Sequence, residues 1–235
     1  MLIKNYDGCS TQVCSGLDEQ IIAELLVLSK GGVAKIKPRS GLICAPVVHP
    51  YLNAKAEASL GKLKYSQSMT INSAYRTIAQ QAILYQNQGA CGLVAAYPGK
   101  SNHQSGLAID IEDSHYWKDA LSNVGWNKLG DFDDMHFDYD GEDLRSLSVK
   151  AFQVLANKNN YSLTVDGDLG QTTLAALYAA PVEGFEHGLT PRVLKLTEPQ
   201  QHGEDVKKFQ TSIGLAKADG WYGKATEDAV KNIKA

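Results

Sequence analysis

The chain has 235 residues, 43% hydrophobic and 21% charged, and its 23 Lys+Arg against 26 Asp+Glu leave a net charge of −3. That balance excludes disordered, collagen-like and coiled-coil chains, and it offers no basic field for nucleic acid or an anionic membrane surface. No run approaches the ~18 apolar residues that cross a bilayer, so neither a membrane span nor a nucleic-acid partner is expected.

From the N-terminus, Met1 to Gln12 has neither the apolar core nor the small-residue cleavage site of a secretory leader. Residues 1–65 read as mostly helical with loops. Ile21, Ile22, Leu25, Leu26 and Leu28 repeat at helical spacing, and Gly31-Gly32 supplies the stop. A second helix is expected from Pro50 to Leu63, with proline in its first turn. Residues 66–140 are mixed. Met69–Ser73 alternates like a strand, and Thr77 then caps a helix running to Gln88. Leu107–Ile111 is a short strand, Ser114–Val124 a helix ending near Gly125, and Met135–Tyr139 a last strand. Strands separated by helices in so short a stretch predict an α+β domain around a small antiparallel sheet.

Residues 146–235 carry an internal repeat. Val149-Lys-Ala-Phe-Gln153, then Val165-Asp-Gly-Asp-Leu-Gly170, then Thr172–Leu177 form the first copy. Val206-Lys-Lys-Phe-Gln210, then Ala218-Asp-Gly-Trp-Tyr-Gly223, then Ala225–Val230 form the second. Each copy predicts a helix, an Asp-Gly turn and another helix, with a threonine after the turn as cap. Three units are therefore expected: a first domain over 1–145 with its motifs in 66–140, and small all-α modules over 146–190 and 191–235.

The cysteines are Cys9, Cys14, Cys44 and Cys91, without a C-x-x-C pair. Four cysteines allow three connectivities, and the sequence does not choose among them; Cys9 with Cys14 and Cys44 with Cys91 is the pairing that spacing suggests, and buried free thiols are the alternative to two disulfides.

The segment Ser101-Asn-His103-Gln-Ser-Gly106-Leu-Ala-Ile-Asp110 places an imidazole and a carboxylate seven residues apart around a glycine turn. A second imidazole follows in Asp133-Asp-Met-His136-Phe-Asp-Tyr139. Two histidines and one carboxylate are a natural three-ligand set for catalytic Zn²⁺, with a fourth position left for water. A neighbouring carboxylate can then act as proton acceptor. Strand alternation puts Asp134 and Asp138 on the His136 face, so either could orient that ring, and Asp134 could also be the base. His115 competes weakly as a ligand. Trp117 and Trp126 read as packing around the site, with Trp126 also placed to form a pocket wall. Gln81 reads as structural, and Ser101 as a turn or ligand-contacting residue.

The strings SNHQSGLAID and DDMHFDY, with the upstream SAYR, resemble the zinc D-alanyl-D-alanine carboxypeptidases and related M15 peptidoglycan peptidases over residues 66–140. The resemblance implies that His103, Asp110 and His136 bind zinc and that Asp133 is the general base. It also implies that Arg76 lies by the substrate, stabilising its carboxylate or the oxyanion. The strings GEDVKKFQ and DGWYGKATEDAV resemble the type 1 peptidoglycan-binding module over residues 146–235. Together the two resemblances imply a wall-tethered, monomeric D-Ala-D-Ala carboxypeptidase whose partner is peptidoglycan, acting outside the cytoplasmic membrane in the periplasm or extracellularly. An L-Ala-D-Glu or D,D-endopeptidase lysin, and a wall-binding protein that no longer cuts, are the alternatives.

Overall fold

The computed structural model describes residues 1–130, 133–188, 194–198 and 200–234. The predicted boundary at residues 190–191 lies outside them.

Helix α1 (Ser15–Ser29) ends where Lys30, rather than a glycine, takes the left-handed conformation, with Gly31 following at positive φ. The expected helix over 50–63 is in fact a strand and a shorter helix. Strand β3 (Tyr51–Asn53) pairs antiparallel with β1 (Val33–Lys35), and Asn53 then accepts from the Lys55 amide to cap α2 (Ala54–Leu60). The first 65 residues thus hold three strands that no periodicity announced, because each has only three residues. Helix α3 (Ile78–Asn87) begins as expected: Thr77 caps it, and Gln80 reaches back to complete a capping box.

The main sheet adds β2 (Leu42–Cys44), β4 (Met69–Ser73), β5 (Ala108–Ile111), β6 (Trp126–Lys128) and β7 (His136–Tyr139), in the order β2-β4-β5-β7-β6. It is not wholly antiparallel. β2 runs parallel to β4, with Leu42 opposite Met69, while the remaining pairs are antiparallel. The crossover through β3 and α2 makes the parallel edge possible, since a tight hairpin cannot return the chain in the same direction. Helix α4 (Ser114–Ser122) packs beside β6. Trp117 and Trp126 are fully buried here, against Met69, Ile71 and Phe137. Trp126 donates its indole N–H to Ser59 at 2.8 Å, so it is core rather than pocket wall.

Beyond residue 144 the regular elements among the described residues are α5 (Arg145–Asn157), α6 (Gln171–Tyr178), α7 (Glu204–Ser212) and α8 (Lys224–Lys234). A second hydrophobic cluster joins Leu17, Ile21 and Leu25 of α1 with Ile83 of α3, Phe152 of α5 and Leu177 of α6. The core is therefore continuous across residue 145.

Both copies of the repeat close by the same side-chain knot. Gln153 donates to Asp166, the Asp168 carbonyl and Thr173, and accepts from the Gly167 amide at 2.9 Å. Gln210 does the same with Asp219, Trp221, Thr226 and Gly220. Thr173 is thus a partner of the knot, and Gly170 occupies the capping position of α6 instead.

The cysteine pairing also differs from expectation. Cys9 is bonded to Cys91, and Cys14 and Cys44 are free thiols. Cys14 closes a short 3-10 turn against the core, where burial and then the Asp18 carboxylate push its thiol pKa up, while Cys9 stays at the surface. No helix among the described residues is long and apolar enough to cross a membrane.

Candidate metal centre

Strands β5 and β7 place Asp110 directly opposite His136. Across an antiparallel pair, facing residues project to the same side, so carboxylate and imidazole meet without any loop to position them. His103 comes from the 3-10 turn Asn102–Ser105, which Gly106 closes at φ +64. A Cβ there would lie 2.5 Å from the Asn53 amide nitrogen, so the turn needs glycine for both its conformation and its space.

One ligand atom from each of His103, Asp110 and His136 lies within 4.8 Å of the others. Nδ1 of His103 donates to the Ala74 carbonyl at 2.8 Å, which leaves Nε2 facing Asp110 at 3.4 Å. His136 is turned the other way. Its Nε2 lies 2.9 Å from Asp138, and its Nδ1 lies 2.9 Å from Asp110. Asp138 is held in turn by Asn102 at 2.9 Å. Each ring thus has its outer nitrogen tied to an acceptor and its inner nitrogen aimed at one carboxylate, the arrangement that orients histidine ligands. Two nitrogens and one oxygen on rigid, buried elements fit a zinc-type divalent ion.

The electrostatics agree. Burial opposes charge on Asp110, but the two imidazoles and Arg76 hold its carboxyl well below the usual carboxylate range. Burial, then Arg76, depresses His103 and keeps its inner nitrogen free. Burial also works against charge on His136, yet its hydrogen bonds to Asp110 and Asp138 prevail and push its pKa up to about 9. At this centre a proton and a cation therefore compete for Nδ1 of His136.

Arg76 is anchored beside it. Its backbone amide donates to the His103 carbonyl, its guanidinium donates to Gln81 at 3.1 Å and Ser73 at 3.3 Å, and Asp110 lies 3.7 Å away. Burial lowers its pKa, against the pull of Asp110 and Asp133. Gln81 also donates to the Ala96 carbonyl at 2.7 Å, so it positions the arginine and ties down the groove wall.

These groups open into a groove of about 600 Å³. Arg76, Ser101, Asp133 and Asp138 line it beside His103, Asp110 and His136, and Leu93, Val94 and Met135 form an apolar side. Asp133 therefore faces the groove. Asp134 does not: it turns outward to Lys128, Ser114 and His115. His115 is largely exposed and bears on the cluster nowhere. Of the two carboxylates that alternation left open, Asp138 orients His136. Gln81, expected as structural, is what steadies Arg76, and Asn102 holds Asp138 without any spacing signal to announce it, since a single amide carries none.

The family model VanY, described as D-alanyl-D-alanine carboxypeptidase, matches residues 52–138, a span that includes Arg76, His103, Asp110, Asp133 and His136. No curated protein matches the chain. Among solved structures, one similar chain is a mutant of the vancomycin-resistance D,D-pentapeptidase VanY from a VanB-type resistance cassette, in complex with Zn(II). It is 16% identical with a TM-score of 0.32, covering 43% of this chain and 78% of that one. Another is the LD-carboxypeptidase LdcB, 19% identical with a TM-score of 0.32, covering 50% and 67%.

Proposed function

We propose that this chain is a zinc-dependent D-alanyl-D-alanine carboxypeptidase acting on peptidoglycan stem peptides, and that the modules over 146–190 and 191–235 hold it at the cell wall. The observation that carries the reading is the buried His103–Asp110–His136 donor set opening beside Arg76 into one groove. The family match over residues 52–138 supports the same activity class.

His103, Asp110 and His136 would hold the ion. A bound zinc ion supplies Lewis acidity toward a peptide carbonyl and a nearby water. Asp133 takes the proton from the attacking water and returns it to the leaving amine. Arg76, steadied by Gln81 and Ser73, offers its remaining N–H groups to the free carboxylate of the stem or to the developing oxyanion. Asp138 keeps His136 turned so that Nδ1 faces the ion. Wall binding by the modules raises local substrate concentration without tight binding at the site.

The test is digestion of purified stem pentapeptides by zinc-loaded protein, with and without chelator, read by mass spectrometry. Loss of one terminal alanine, abolished by chelator and reduced about 10²-fold or more by Asp133→Asn, is the expected result. An internal cut would make it an endopeptidase. Intact peptides with zinc bound would overturn the enzyme reading and leave wall binding alone.

A further inference from the structure

The groove does not end at the metal cluster. Lys100, three residues before His103, also lines a second cleft of about 370 Å³. This cleft is built jointly by Tyr97–Lys100, of which only Lys100 also lines the groove, the start of α5 from Arg145 to Val149, and the turn Gly167–Leu169 of the first repeat copy. Its floor is wired to the catalytic turn. Arg145 donates to the Lys100 carbonyl at 2.9 Å and forks onto Asp143, which accepts from Ser105 at 2.7 Å. Its far wall is rigid, because Gly167 sits at φ +83 where a Cβ would lie 2.7 Å from the Ser146 carbonyl, and Gln153 grips its amide.

The chemistry of the cleft is balanced. Two cations, Lys100 and Arg145, face two carboxylates, Asp143 and Asp168. Arg145 and Asp143 neutralise each other, while Lys100 and Asp168 are exposed and form no ion pair with a described residue. Tyr97, 38% exposed, is set edge-on to Tyr85 at 5.2 Å, which fixes the ring it offers to solvent. A neutral ligand rich in hydroxyls and amides, with an apolar C–H face for the tyrosine, matches this lining better than any ion.

We propose that this junction cleft is a saccharide subsite for an N-acetylated amino sugar of the glycan strand whose stem peptide occupies the metal-centre groove. The proposal rests on the peptidoglycan reading given above. Reach supports it. Three residues separate Lys100 from His103 by at most about 11 Å, whereas an extended five-residue stem spans roughly 17 Å, so a stem engaged at the cluster and running toward the cleft is long enough to pass Lys100.

The test compares a free stem pentapeptide with the same peptide on its N-acetylglucosamine–N-acetylmuramic acid disaccharide, using the zinc-loaded full chain. The disaccharide-peptide is expected to show kcat/KM about tenfold higher, through KM, and Tyr97→Ala and Asp168→Ala should each erase that preference while leaving free-peptide turnover unchanged. An absent preference, a preference that survives both substitutions, or an equal loss on both substrates would each overturn it. Failure of the enzyme reading is separable: if neither substrate is cut, titration of the disaccharide alone followed by NMR decides. Shifts confined to the cleft and lost in Asp168→Ala support the subsite, and unchanged spectra refute it.

Discussion

Gln153 and Gln210 hold the same kinds of partner in the two repeat copies: a turn aspartate, a turn carbonyl, a helix threonine and a glycine amide. Their surroundings differ. The first copy is built into the molecule, with α5 and α6 sharing a core with α1 and α3, and Ile3 donating to the Ala180 carbonyl at 3.0 Å. Its turn also walls the cleft next to the metal centre. In the second copy, Phe209 and Tyr222 stack and, with Val230 and Ile233, line a cavity of about 420 Å³ of their own. Among the described residues neither hydrophobic cluster holds a residue beyond Phe185. Ser15 donating to the His202 carbonyl at 3.4 Å is one link back to α1. One motif specifies one local knot, and its placement decides whether that knot supports the whole fold or only its own module.

The largest expected effect concerns the disulfide, whose loop carries α1 and α3, the helices that share a core with the first copy. Cys9 and Cys91 are separated by 82 residues. Replacing both with serine is expected to lower stability by about 4.5 kcal/mol on the chain-entropy account. Calorimetry should place that loss in the transition of the unit formed by the residues around the metal centre and the first copy. An equal shift in a separate second-copy transition would break the comparison.

Next come the two glutamines. Gln153→Ala should cost about 2–3 kcal/mol in the main unfolding transition, since it strands a partly buried amide and a buried hydroxyl. Gln210→Ala should melt the second copy and leave the main transition and metal affinity in place. Equal effects on the main transition would mean that both copies share one cooperative unit.

Asp138→Ala sharpens the contrast from the metal side. It is expected to weaken zinc binding about 10–100-fold, as loss of an orienting acceptor does, while Asp134→Ala leaves it unchanged. Competition with a chromophoric chelator measures both. Equal losses would return Asp134 to the site.

The smallest effect is electrostatic. The Arg145 fork, against the cost of burial and with help from Ser105, holds the Asp143 carboxyl below the usual range. A depressed carboxylate stabilises the fold above its unfolded pKa of about 3.9, and that contribution is lost as pH falls through the folded value. The pair is half exposed, so Asp143→Asn should cost under about 1 kcal/mol at neutral pH and nothing in strong acid. Urea titrations across pH 2–7 would check the sign.

Much of the site was legible in the sequence because its signals are local. His103, Gly106 and Asp110 lie on one turn and strand, Thr77 caps its own helix, and each Asp-Gly turn closes within its copy. Period and turn chemistry act over a few residues, so they survive without knowledge of the rest of the chain. Tertiary structure alone decided which cysteines meet, which carboxylate orients His136, where a parallel strand joins the sheet, and that the first copy closes a cleft beside the metal centre. Each of these depends on segments far apart in sequence being brought together, and the packing of buried surfaces, rather than any spacing along the chain, selects those pairings.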